Sequence, residues 1–180
     1  MWYSNRPVGV AIASIGAKMT EFVWERAFYL LMQNEGGYVN DPNDNGGETK
    51  YGISKKQYPH VDIPNLTLWQ AKEIYKKDYW FRYKCECLPD CLSVCLFDAV
   101  VMSSGVKMVK LLQEALGVTA DGVIGNQTIG AAHRVPLKPV VESFSNKRLS
   151  YLMSLKSWKH YGNGWGDRVL RVKKTAEDLI

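Results

Sequence analysis

The chain has 180 residues, 46% apolar and 23% charged, enough for one domain with a real core or two small lobes sharing one, and it is not the composition of a disordered protein. Its formal net charge of +5 is scattered, with only short clusters such as Lys55-Lys56, Lys76-Lys77 and Lys173-Lys174; this suits an anionic wall or membrane surface, and suits a solvated exterior equally well. There is no long basic block, RNP-like aromatic box or zinc-finger spacing, so nucleic acid is not the expected partner, and no apolar run reaches the roughly 18 residues of a membrane span.

Val8 to Ala17 is a mild apolar run after Arg6, too short and too interrupted by Gly and Ser to make a clear secretory signal. Residues 1–20 therefore read as an extension, followed by a first region over 21–102 and a second over 103–180, with the chemical mark between them at Ser103 to Gly105. Thr20 can cap a first helix and Glu21 suits its positive end. Phe22, Val23, Ala27, Leu30 and Leu31 form its apolar stripe, and Trp24, Phe28 and Met32 widen it, as in a well-buried helix. The helix is expected to stop at Asn34-Glu35-Gly36-Gly37, where glycines permit backbone angles that other residues resist.

Asp41-Pro42, Asp44-Asn45 and Gly46-Gly47 are turn signals, around which Tyr38-Val39 and Thr49-Lys50-Tyr51 are expected to pair as short strands. Ser54 is expected to cap a short helix ended by Pro59. Thr67-Leu68-Trp69-Gln70 is a capping-box pattern that opens a helix through about Tyr83, with Leu68, Ala71, Ile74, Tyr75, Tyr79 and Trp80 facing the core or a ligand. Pro89 suits the first turn of the next helix, through about Met102, which reads as the central buried one. Gly105 breaks the pattern, and Lys107 to Leu116 is helical up to Gly117. After a turn-rich loop, Thr128 to His133 is a short helix. A long amphipathic helix follows Pro136 and Pro139, with Val140, Phe144, Leu149, Leu152 and Leu155 inward, and a last helix is expected from about Trp165, after Gly162-Asn163-Gly164.

A carboxylate at the end of a buried helix, beside two glycines that leave room, is a candidate general acid, because partial burial and the negative helix end both raise its pKa. That residue is Glu35; from position alone a surface glutamate is an equal reading. A second polar group must place water or stabilise the developing oxocarbenium ion. Asp44, Glu48 and Thr49 are the candidates, each alone better explained as a turn or strand residue, as is Asp41. Tyr38, Tyr51, Trp69, Tyr75, Tyr79 and Trp80 offer rings for sugar stacking, though aromatic stripes are usually core. Cys85, Cys87, Cys91 and Cys95 lack paired C-x2-C knuckles, so small buried or half-buried thiols are favoured over a metal site or a disulfide. His60, His133 and His160 show no metal-binding pattern.

The run Glu35-Gly-Gly-Tyr38, Asp41-Pro-Asn-Asp44, Gly46-Gly47-x-Thr49-x-x-Gly52-Ile53 resembles the N-acetylmuramidases of glycoside hydrolase family 108. The similarity continues through Asn65-Leu-Thr67, Gln70-Ala-Lys-Glu73-Ile74, Asp78-Tyr-Trp80 and Phe97-Asp98. Leu111-Leu-Gln113, Asp121-Gly-Val-Ile-Gly125 and Gln127-Thr128, closed by Gly164-Trp165 and Arg168, are similar to the peptidoglycan-binding module that follows in that family. The resemblance implies a mainly α, lysozyme-like α+β fold, a helical bundle with a small β-hairpin beside the cleft. It implies hydrolysis of the β-1,4 bond between N-acetylmuramic acid and N-acetylglucosamine, with Glu35 as the acid. By analogy with phage-type lysozymes, Asp44 and Thr49, nine and fourteen residues further on, position the attacking water. Substrate binding is carried over to Tyr38, Tyr51, Gln113, Asp121 and Gln127. The chain departs from the family in having Met102-Ser103-Ser104-Gly105 where Asn-Ser-Gly is usual, in its cysteine cluster and in its longer extension.

The resulting expectation is a monomeric muramidase that needs no metal or other cofactor and inverts the sugar, made in the cytoplasm without a clear signal peptide and acting on periplasmic or cell-wall peptidoglycan. It would serve either phage lysis, released through a holin, or the export of a protein such as a toxin across the wall. The competing classes are a non-catalytic wall-binding scaffold and a membrane-lytic protein without stable insertion.

Overall fold

The computed structural model describes residues 21–33, Tyr38 and 47–180. In chain order the elements are α1 (21–32), β1 (Thr49–Lys50), β2 (Ile53–Ser54), α2 (Leu68–Tyr75) continued by a π-helical stretch (Lys76–Phe81), and a 3-10 turn (Cys85–Cys87). Then follow α3 (Asp90–Met102), α4 (Gly105–Leu116), α5 (Asn126–Ala132), α6 (Leu137–Met153) and α7 (Trp158–Glu177). The fold is mainly α with one small antiparallel sheet, as the sequence implies. The extension and the Thr20 cap lie outside the described residues.

α3 is the axis. Cys91 to Val100 are buried without a break, and a helix apolar on every side must be covered on every side. α4, α6 and α7 pack on it from the second half of the chain, and the π-helical stretch and the 3-10 turn from the first. One apolar cluster runs from Val23 to Ala176, so the regions on either side of residue 103 share a core. At its centre the rings of Trp24, Trp80 and Phe97 meet edge to face, with centroids 5.3 to 5.7 Å apart.

The Thr67 capping box forms as expected. Thr67 Oγ1 accepts from the Gln70 N–H at 3.2 Å, and Gln70 Oε1 accepts from the Thr67 N–H at 2.8 Å. Thr67→Ala should therefore lower stability by about 1 kcal/mol in urea denaturation. The helix does not continue as a plain α-helix. Tyr75 and Trp80 are both buried, five residues apart, and an i→i+5 repeat places such a pair on one face. Leu68, expected inward, is exposed, as is Phe22 on α1; each sits at the start of its helix.

Three boundaries differ from the sequence reading. Gly105 opens α4 instead of interrupting it. α6 begins at Leu137 and takes Pro139 into its first turn, where a missing N–H costs no helix bond. α7 begins at Trp158 and runs through Gly162, Gly164 and Gly166. Gly162 is required there: a Cβ would lie 2.7 Å from the Trp158 indole.

A buried ionic triad ties three helices together. Asp98 of α3 accepts from Arg148 of α6 at 2.7 Å and from Arg168 of α7 at 2.8 Å, and all three side chains are nearly solvent-free. Burial pushes the Asp98 carboxyl up, but the two guanidiniums outweigh it and hold it below its usual value.

Candidate active site

The described part of the site is built on the hairpin. Thr49 stands opposite Ser54 and Lys50 opposite Ile53, leaving Tyr51-Gly52 as a two-residue loop. Both have positive φ, 52° and 74°, the signature of a type I′ turn, which matches the twist of short strands. The tight turn is thus at Tyr51-Gly52, downstream of the Asp/Asn/Gly run, and β2 supplies the partner expected from Tyr38-Val39. Tyr38 is not in a strand, and Val39 lies outside the described residues.

A tyrosine in the left-handed region is uncommon and needs support. Tyr51 has it: its carbonyl accepts from the Tyr75 hydroxyl at 3.0 Å, fixing the hairpin tip to α2. Ser54 does cap, receiving the Gln57 N–H on Oγ at 3.3 Å, but only a turn follows it.

Glu35 and Asp44 lie outside the described residues, with Asp41 and the Gly36-Gly37 pair. Thr49 is half-buried on β1, its Oγ1 donating to the Gly47 carbonyl at 3.3 Å. Tyr38 is exposed and donates to Glu48 Oε1 at 3.1 Å. Tyr38, Glu48 and Thr49 thus lie at one rim, while Tyr51 at the hairpin tip is half-buried against the core.

The expected sugar-binding residues of the second half are placed differently. Gln113 is 1% exposed. Its Nε2 donates to Asp121 Oδ1, the Val123 carbonyl and Thr128 Oγ1 at 2.7 to 3.1 Å, and its Oε1 accepts from the Gly122 N–H at 2.8 Å. Asp121 Oδ1 also receives the Val123 N–H, and these hydrogen bonds hold its carboxyl below the usual value. Gln113 and Asp121 are therefore occupied in tying the 117–126 loop to α4. Gln127 is exposed at the start of α5. Gln113→Leu should cost about 1–3 kcal/mol by leaving buried partners unsatisfied, and should speed hydrogen exchange at the Gly122 amide. Unchanged stability with weakened wall binding would instead make Gln113 a ligand contact.

The four thiols are free, and Cys85, Cys91 and Cys95 are buried. Burial pushes Cys85 well up, Cys91 to about 11 and Cys95 to about 12, so they are poor nucleophiles. Among the described residues no group of three or more His, Cys, Asp or Glu side chains is placed to hold a metal ion. What sequence reading missed is Arg148, the second partner of Asp98. Its signal was a charge in register with the buried Val141, Phe144 and Leu152 of α6, a place where an arginine needs a carboxylate.

A helical body with a pinned hairpin carrying hydroxyls and a carboxylate at its rim is the architecture of a lysozyme-like glycoside hydrolase. The comparisons agree: residues 28–104 match the family model described as Glycosyl hydrolase 108. The solved structure of SagA from Brucella abortus is similar, with a TM-score of 0.78 at 29% identity over 88% of this chain and 96% of that one. That likeness reaches well beyond the matched stretch. No curated protein matches the chain.

Proposed function

We propose that the protein is a peptidoglycan muramidase that hydrolyses the β-1,4 bond between N-acetylmuramic acid and N-acetylglucosamine. The observation that carries this reading is the family match over residues 28–104, a stretch that includes Glu35-Gly-Gly-Tyr38. Glu35 protonates the glycosidic oxygen. Asp44 with Thr49 places a water on the opposite face of the sugar, giving inversion. Tyr38 and Tyr51 line the approach, and the second half, through Gln127, holds the wall.

The enzyme acts as a monomer on the wall after synthesis in the cytoplasm. Of the two settings, export of a protein such as a toxin is favoured over holin-dependent lysis by the extension and by the Met102-Ser103-Ser104-Gly105 departure. The test is a digest of purified peptidoglycan, with products reduced and read by mass spectrometry. Reducing-end N-acetylmuramic acid identifies a muramidase. Fragments of any other linkage, or none from walls of several crosslink types, overturn the reading and leave a wall-binding scaffold.

A further inference from the structure

A cavity of about 560 Å³ opens between the chain leaving β2, the π-helical stretch and the α3–α4 junction, within the usual range of small-molecule sites. Its lining is dense in hydrogen-bonding groups: Gln57, Tyr58, Asp78, Tyr79, Arg82 and Tyr83, with Ser103 on the far side. The one carboxylate and one guanidinium leave it with no net charge, which favours a neutral polar ligand over an ion. The phenol rings supply flat faces for the C–H side of a pyranose.

The site is built, not left over. The π-helical stretch turns Tyr75 and Trp80 into the core and leaves Asp78 and Tyr79 between them facing the cavity. Such stretches are rare and recur at functional sites. Gln57 Nε2 donates to the Tyr79 hydroxyl at 2.7 Å, bracing one wall. Tyr58 is 9% exposed; burial, with Tyr79 and Asp78 beside it, pushes its hydroxyl up, so it remains a proton donor across working pH. The opposite wall depends on Gly105. A Cβ there would lie 1.9 Å from the Tyr83 hydroxyl, so only glycine lets that ring lie across the start of α4.

We propose that this cavity is a glycan subsite, in which Asp78 accepts a hydrogen bond from a hydroxyl or acetamido N–H of an N-acetylhexosamine unit and Tyr79 and Tyr83 hold the ring. The identity of the ligand rests on the muramidase reading; the existence of a neutral-sugar site rests on the cavity itself. Asp78 is a binding residue in this proposal, touching the sugar directly.

The test uses N,N′,N″-triacetylchitotriose as probe, titrated calorimetrically into wild type, Asp78→Asn and Gly105→Ala. Thermal unfolding of each protein is recorded, and peptidoglycan cleavage is assayed on the same preparations. Asp78→Asn should weaken binding about 10-fold or more, the scale of a hydrogen bond to a charged group. On soluble uncrosslinked glycan strands it should raise KM with kcat little changed, the mark of a lost binding contact. Gly105→Ala should weaken binding as well, because Tyr83 must swing to admit the Cβ, and it supplies the answer if Asp78→Asn does not fold. Equal binding by wild type and both variants, or no binding by wild type, overturns the subsite. Binding that depends on Asp78 in a protein that cleaves no wall keeps the subsite and sinks the muramidase reading instead.

Discussion

Glu35→Gln is expected to slow peptidoglycan hydrolysis about 10²–10⁴-fold, the usual contribution of a general acid, while the wall is still bound. The amide keeps the size of the side chain but has no proton to give to the leaving oxygen. A general acid near a helix C-terminus is kept protonated by the helix's partial negative charge and by any burial. The wild-type rate should therefore fall as pH rises through the pKa of that acid, and the variant's residual rate should lose this limb. The measurement is the yield of reduced muropeptides by mass spectrometry at matched concentration over a pH series, with melting temperatures recorded to exclude unfolding. Equal rates would remove Glu35 from the reaction. Glu48, already at the rim and paired with Tyr38, would be the next carboxylate to substitute.

The second large effect concerns stability. Asp98→Asn should cost about 3–5 kcal/mol, because it leaves the Arg148 and Arg168 guanidiniums buried without their counter-charge. For a chain of this size that corresponds to a fall of about 6–20 °C in Tm. The pH dependence has a definite sign. Asp98 has a lowered pKa when folded, against about 3.9 when unfolded. Its stabilisation is therefore present above about pH 4 and lost as pH falls through the lower, folded value. Guanidinium unfolding across pH 2.5 to 7 should show the gap between wild type and Asp98→Asn closing at the acid end. A gap that stayed constant would mean that the carboxylate's charge is not what holds the three helices.

Where the sequence could be read, it was because one local rule dominated. The Thr67 capping box, the Gly117 stop with φ 69° and the all-apolar α3 each carry their own signal. Where reading failed, two rules competed. The type I′ turn at Tyr51-Gly52 was not expected, because it needs the Tyr75 hydroxyl to support a tyrosine in a conformation that its own preferences oppose. Gly162-Asn163-Gly164 looked like a helix breaker, but the Trp158 ring resting on Gly162 carries the helix through. The π-helical stretch has no sequence signature beyond two large apolar residues five apart. At the proposed site, Tyr38, Thr49 and Tyr51 came from the family resemblance and not from any local rule. The resemblance could not reveal that Gln113 is buried and bonded to Asp121, since a residue's partners become visible only when the loop closes.

The way α3 is covered has a consequence for separating the two halves. The helix lies within the stretch matched to the hydrolase family, yet α4, α6 and α7, which shield much of it, come from beyond that stretch. A gene fusion that joined residues up to 104 to an unrelated partner would leave that apolar rod bare on several sides. The two halves are thus not interchangeable cassettes. A replacement second half would have to cover α3 again and bring two cations back within reach of Asp98.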